Sequence, residues 1–220
     1  MLQNELKVIK DTAIEVENIN YIPVDNEISK KSKVKNLQCS IMFVDIRNST
    51  KMQDNNGRKN MVKIYKMFAK LVIKAVEENN GKVMQIVGDG FLCIFVNDEL
   101  NSGQNAVNAA ISISTYISNA YNPIVENNWS IGCGCGICSG HVYITRIGVK
   151  GKNKCAQLAY PSSITNYASK FCGLADEGCV IVDDETYRQL DKDSKKYLKE
   201  KNTANYGLAY CMENVTWEIQ

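Results

Sequence analysis

Two aspartates raise the question of what this chain does. Asp45 closes the apolar run QCSIMFVD, and Asp89 stands between Gly88 and Gly90 in the link that joins KVMQIV to FLCIFV. Carboxylates delivered to neighbouring turns are what hard divalent cations require, because such ions take oxygen ligands and leave positions open for phosphate oxygens. A plainer reading stands beside this one: Asp is an ordinary turn former, and each carboxylate could shape only its own turn. Beyond Asp45 the chain continues as Ile46-Arg47-Asn48-Ser49-Thr50, a polar turn that supplies an arginine and two hydroxyls.

The flanking patterns say which elements must carry these residues. QCSIMFVD, 38–45, is a compact apolar run bounded by polar residues and reads as a central strand. From Arg58 to Glu78 the apolar residues Met61, Val62, Ile64, Tyr65, Phe68, Leu71, Val72 and Val76 recur at three and four positions, the signature of an amphipathic helix. Asn79-Asn80-Gly81 is its stop. Gly88-Asp89-Gly90 between two short apolar runs predicts a hairpin with a carboxylate at its tip. A second helix is expected over 103–121, with Ala106, Ala109, Ala110, Ile113, Tyr116 and Ile117 on one face. Residues 130–138 and 141–147 read as a strand pair around Ser139-Gly140, followed by a Lys/Gly/Asn loop at 148–154. SSITNYASKFCGLA reads as a helix capped by Ser162 or Ser163. CVIV is a strand, DDETYRQL a further helix opening, and the tail YGLAYCMENVTWEIQ one or two closing strands. Strands and helices alternate without a regular βαβ succession, which predicts an α+β sheet covered by helices.

Composition sets the outer limits. The 220 residues are 45% hydrophobic and 23% charged, with 26 basic and 24 acidic side chains giving a net charge of +2. No overall field argues for nucleic acid or an anionic membrane, so no such partner is expected. No window approaches a membrane span, and the N-terminus lacks the apolar centre of a signal peptide; a cytoplasmic protein is expected. Nine scattered cysteines in a chain of this size suit reduced thiols. Cys133, Cys135 and Cys138 have a zinc-like spacing, but they alternate with glycines as strand residues do, and no second Cys/His knuckle follows. His141 is the only histidine, which excludes mechanisms needing a pair. Residues 1–37 are polar and read as an N-terminal extension or linker, leaving 38–220 as the functional domain.

FVDIRNST followed by VGDGFLCIF resembles the class III nucleotide cyclase domain, whose pattern is strand-Asp-Ile, a turn ending in Thr, a helix, then a Gly-Asp hairpin. GCGCGICSGHVYITRIG is similar to that family's glycine-punctuated strand pair. SITNYASKF is similar to its helix carrying Asn, Ala and a basic residue as N-x-A-x-(R/K). The resemblance runs in order over roughly residues 38–210.

That resemblance implies a central, mostly antiparallel sheet flanked by helices, with a ferredoxin-like core and a head-to-tail homodimer. It implies that Asp45, Asp89 and the Ile46 carbonyl hold two Mg2+ or Mn2+ ions, and that Asn48, Ser49 and Thr50 receive the phosphates of a nucleoside triphosphate, while Arg47 either joins them or faces solvent. Asn166 would orient the ribose. Lys170 stands where most cyclases have an arginine; it keeps the charge and loses the bidentate fork. Asn166 and Lys170 would come from the partner chain. Where purine-specific members carry polar base-reading residues, this chain has Gln85 and Ala159. The stretch TRIGVKGKNKCAQLAYPSSITNYASKF, with Lys170, resembles instead the small bacterial uridylate and cytidylate cyclases of the Pycsar antiphage systems, which make cyclic UMP or cyclic CMP to activate a separate effector. Phe43, Gln85 and Tyr160 are the candidate base contacts, with Met84 beside them. An adenylate or guanylate cyclase with an unusual pocket, and a silent nucleotide-binding module, are the alternatives.

Overall fold

The computed structural model describes residues 2–28, 32–98, 101–149, 155–203 and 206–217. The helices are α1 (Leu2–Asp11), α2 (Ser49–Glu78), α3 (Ser102–Tyr116), α4 (Ser163–Leu174), α5 (Asp184–Gln189) and α6 (Lys192–Lys195). The strands are β1 (Glu15–Ile19), β2 (Lys33–Ile46), β3 (Gly81–Val87), β4 (Gly90–Phe95), β5 (Cys133–Val149), β6 (Cys155–Ala159), β7 (Cys179–Asp183), β8 (Lys199–Asn202) and β9 (Leu208–Glu213). The architecture is α+β, as expected. Antiparallel pairs predominate among the described ladders, and β1–β2 and β5–β7 are the parallel ones. No helix among the described residues is long and apolar enough to cross a membrane.

Two compact units make up the chain. One comprises residues 1–38 and 141–162. Here the stretch expected as a linker forms α1, then β1, which pairs in parallel with residues 33–37. Charge complementarity supports that register: Lys33 meets Glu15 at 2.9 Å and Lys35 meets Glu17 at 2.7 Å across the ladder. Residues 155–159 pair antiparallel with 145–149. The expected 148–154 loop falls largely on residues 150–154, which lie outside the described residues.

The other unit, residues 39–140 and 163–220, holds the sheet path β3-β4-β2-β5-β7-β9-β8 and its helices. Its core is mainly apolar, with Met42, Val44, Phe68, Phe91, Phe95, Ile113, Ile137 and Val182 buried together, and beside it the buried hydroxyls of Ser40, Ser102, Ser139 and Thr186 hydrogen bond to one another. Phe68 of α2 meets Phe91 of β4 edge to face, ring centroids 5.6 Å apart, which seats the helix on the strands that end in the aspartates. Gly81 follows the α2 stop because a Cβ there would stand 2.3 Å from the ring of buried Phe95.

Four details differ from the sequence reading. Residues 133–149 form one continuous strand instead of a pair broken at Ser139-Gly140; Gly140 adopts φ 151 and lets the strand pass. Helix begins at Ser49, nine positions before Arg58, and breaks at Gly57 (φ 70, ψ 159), where the polar sequence hides the first segment. α4 runs on to Leu174, one residue past Gly173 and one short of the end of the stretch read as helix. Cys179 and Cys211 form a disulfide between β7 and β9, where six other described cysteines are free thiols. The register sets Cys211 against Ile181, two positions from Cys179, and this diagonal puts the Cα atoms 6.7 Å apart, within bridging range.

Candidate active site

β2 ends at the expected place. Asp45 and Ile46 are its last two residues, and the β3–β4 turn brings Asp89 to the same end of the sheet because β4 pairs antiparallel with β2. Val87 pairs with Gly90, so Gly88 and Asp89 form a two-residue turn, with Gly88 at φ 65 in the left-handed region that such turns demand. A Cβ on Gly90 would stand 3.6 Å from Oδ1 of Asp45. The tip of the hairpin therefore lies against the strand end, and the two carboxylates face each other.

The electrostatics agree with this contact. Burial, and after it the facing charge of Asp89, push the Asp45 carboxyl up to about 6, while the Arg47 guanidinium and the Ile46 N–H act in the opposite direction. Asp45 Oδ1 and Asp89 Oδ2 are buried and have no hydrogen-bond partner among the described residues. Two buried, unpartnered carboxylate oxygens from separate elements are costly unless a cation completes them. The donor set is all oxygen, which suits a hard divalent ion. No cluster of three or more His, Cys, Asp or Glu fit for a metal exists among the described residues, so two carboxylates are the protein's anionic share here, and Cys133, Cys135 and Cys138 are buried strand thiols.

The turn after Asp45 is reorganised relative to the expectation. Asn48 takes φ 57 and caps α2, and Met52 N–H donates to its carbonyl at 3.0 Å. Ser49 and Thr50 are thus the first residues of a helix, whose N–H groups point out along its axis. Arg47 was expected either at the phosphates or facing solvent. Its guanidinium instead turns inward, donating to the Gly134 carbonyl (3.5 Å) and Cys172 Sγ (3.3 Å), while Cys172 donates to the same carbonyl (3.3 Å). Gly134 is needed there, since a Cβ would meet Arg47 Nε at 2.7 Å.

Beside the carboxylates a cavity of about 210 Å3 is lined by Phe43 and Asp45 of β2, Gln85 of β3, Leu92 of β4, and Ser169 and Cys172 of α4. Its strand side is set by register: Phe43 pairs with Leu92 and Leu92 with Gln85, a cross-strand row on one face. A register shift at Met84 makes this possible, because an extra residue there re-aims Gln85 onto the face of Leu92. A larger cavity of about 490 Å3, between α6, β8 and β9, is lined by Lys196, Lys199, Lys201 and Glu213 and contains none of the expected site residues. Chemistry, not size, singles out the smaller one.

Asn166 and Lys170 occupy the exposed side of α4, outside the cavity lining. Tyr160 is buried in the unit of residues 1–38 and 141–162, just past β6, and His141 of that unit is exposed. Tyr65 was read only as a helix-face residue, yet burial and the charge of Asp89 hold its phenol above the ordinary pKa, with Ser49 acting in the opposite direction. A hydroxyl-bearing ring in a stripe of otherwise wholly apolar side chains was its only signal in the sequence.

Residues 32–209 match the family described as the adenylate and guanylate cyclase catalytic domain, and the chain belongs to that family. Members are metal-dependent as a class, bind nucleoside triphosphates and commonly form dimers. The chain is 25% identical to a uridylate cyclase of Gulbenkiania mobilis, across 94% of this chain and 90% of that protein. It is 23% identical to a uridylate cyclase of Burkholderia cepacia, across 81% and 78%. The guanylate cyclase domain of RhGC from Catenaria anguillulae, solved with GTP, superposes with a TM-score of 0.68 at 18% identity, covering 81% of this chain and 97% of that one.

Proposed function

We propose that the chain is a uridylate cyclase that converts UTP to 3′,5′-cyclic UMP and pyrophosphate. The observation that carries the reading is the facing pair of buried, unpartnered carboxylate oxygens on Asp45 and Asp89. The names of the curated relatives favour uracil, and so do Gln85 and Ala159 at the positions where purine cyclases read their base.

Asp45, Asp89 and the Ile46 carbonyl would hold Mg2+ or Mn2+. When bound, two such ions lower the pKa of the ribose 3′-hydroxyl and neutralise the pyrophosphate leaving group. The chain's own residues do the rest. Asn48, Ser49 and Thr50 offer the α2 N-terminal amides and hydroxyls to the β- and γ-phosphates, where the helix dipole favours anions. The 3′-oxygen forms its bond to the α-phosphorus as the bond to the pyrophosphate oxygen breaks, and the hydroxyl proton passes to solvent. Asn166 orients the ribose, and the Lys170 ammonium faces the charge that grows on the α-phosphate. Arg47, bonded to Gly134 and Cys172, balances Asp45 from within the fold. Gln85 and Phe43 read the base: the amide offers one donor and one acceptor, and the ring offers a stacking face. Tyr160 is the third base candidate.

Because Asn166 and Lys170 lie on the exposed side of α4, a head-to-tail homodimer in which they complete the partner's site fits this reading. Residues 38–220 form the catalytic domain and 1–37 an extension. The resemblance to the Pycsar cyclases extends the proposal to a cytoplasmic second-messenger enzyme of bacterial antiphage defence.

The test is mass spectrometry of products from an equimolar mixture of ATP, GTP, CTP and UTP with Mn2+. A single cyclic product at the mass of cyclic UMP supports the proposal. Cyclic CMP moves it to the sister substrate, cyclic AMP or GMP rejects the pyrimidine reading, and no product leaves a binding module.

A further inference from the structure

Lys170 does not reach into solvent alone. Its Nζ stands 4.6 Å from the centroid of the Tyr206 ring and 5.8 Å from that of Tyr167. The two rings are 6.0 Å apart at 55°, and Tyr206 also meets buried Phe171 at 6.4 Å with its ring nearly perpendicular. Tyr206 is thus backed by a fixed residue of α4. It comes from outside that helix: it precedes Gly207 (φ 81), whose carbonyl accepts from the Thr203 hydroxyl at 2.6 Å as the chain turns into β9.

An ammonium within ~6 Å of an aromatic centroid is attracted by the ring's negative face. The attraction occupies one side of the group. A lysine ammonium has three N–H donors, so those on the other side stay available to an anion. The physical gap this fills is specific to lysine. An arginine brings a planar, rigid fork that meets a phosphate in one geometry, whereas a lysine is a point charge on a flexible four-carbon stem.

We propose that Tyr206 is a positioning residue: its ring, assisted by Tyr167, holds the Lys170 ammonium on the outer face of α4 and supplies the orientation that a lysine in this place otherwise lacks. This rests on the reading of Lys170 as the residue that faces the α-phosphate. Pre-orientation of a group that acts as charge develops lowers the barrier without tightening ground-state binding, so the effect belongs in kcat and not in KM.

The experiment is steady-state cyclisation of UTP with Mn2+ by the full chain, comparing wild type, Tyr206→Leu, Tyr206→Phe, Lys170→Ala and the Tyr206→Leu/Lys170→Ala double variant, each checked by thermal melting. The expected result is a loss of about three- to tenfold in kcat for Tyr206→Leu with KM within about twofold, and near-full retention in Tyr206→Phe, which keeps the ring. In the Lys170→Ala background, Tyr206→Leu should cost less than about twofold more, because its effect passes through the lysine. Equal losses in the Leu and Phe variants, or an undiminished loss in the Lys170→Ala background, would overturn the proposal and assign Tyr206 to loop structure. Full activity of Lys170→Ala would separately overturn the role of Lys170 and this inference with it. If Tyr206→Leu does not fold, Tyr167→Leu in the same two backgrounds makes the same test at smaller amplitude.

Discussion

Replacing Asp45 with asparagine should stabilise the metal-free chain while destroying its activity. The folded-state pKa of Asp45 rises from 3.8 to about 6, with burial first and the charge of Asp89 second among the causes. A raised carboxyl pKa means that the folded state binds the proton more tightly than the unfolded one. The favourable contribution is complete below about pH 3.8 and is lost as pH rises through about 6; at neutral pH the fold carries the cost of an ionised, crowded carboxylate. A rise from 3.8 to about 6 corresponds to ~3 kcal/mol, and because Asp45 is only half-buried, solvent screening reduces this to ~1–1.5 kcal/mol. For a chain of this length that is ~3–5 °C in Tm. Asparagine keeps the shape and can still accept from the Ile46 N–H, so it removes charge and little else. The assay is thermal melting in EDTA at pH 7.5 and pH 4.5, followed by Mn2+ titration at pH 7.5. Asp45→Asn should melt ~3–5 °C above wild type at pH 7.5, with the gain shrinking towards pH 4.5, and Mn2+ should raise the wild-type Tm and not that of the variant. A variant that melts at or below wild type at pH 7.5 would refute the claim that the two carboxylates repel each other across a shared site.

Other outcomes follow from the same structure. Arg47→Met removes the donors to the Gly134 carbonyl and Cys172 Sγ and should cost ~1–3 kcal/mol in urea denaturation. Gly81→Ala sets a methyl against the buried Phe95 ring and should cost ~1–3 kcal/mol, read the same way. Mixing inactive Asp45→Asn chains with Lys170→Ala chains, which keep only residual activity, should raise turnover to about a quarter of wild type, because one intact site forms in each mixed dimer; no rise above the residual level would place both residues' work within one chain.

The strand ending in Asp45 and the hairpin tip carrying Asp89 were legible because local signals write them: a short apolar run, a Gly-Asp-Gly link and a helix stop at Asn79-Asn80-Gly81. What was hidden depends on partners distant in the chain. Arg47 turns inward because Gly134 and Cys172, far along the sequence, offer a carbonyl and a sulfur at the right place. Gln85 faces the cavity because of a register shift that no pattern of single residues reveals. The Cys179–Cys211 pairing arises from the β7–β9 register. The first turns of α2 carry too few apolar residues to show a period, and Gly57 interrupts the pattern that follows.

The central claim is that Asp45 and Asp89 together hold divalent ions against a nucleoside triphosphate. The direct measurement is an equilibrium Mn2+ titration followed by electron paramagnetic resonance with 3′-deoxy-UTP, which fills the site but cannot cyclise. The account predicts about two bound ions per chain in the wild type and loss of that binding in Asp45→Asn and Asp89→Asn. Equal Mn2+ binding by wild type and both variants would contradict it.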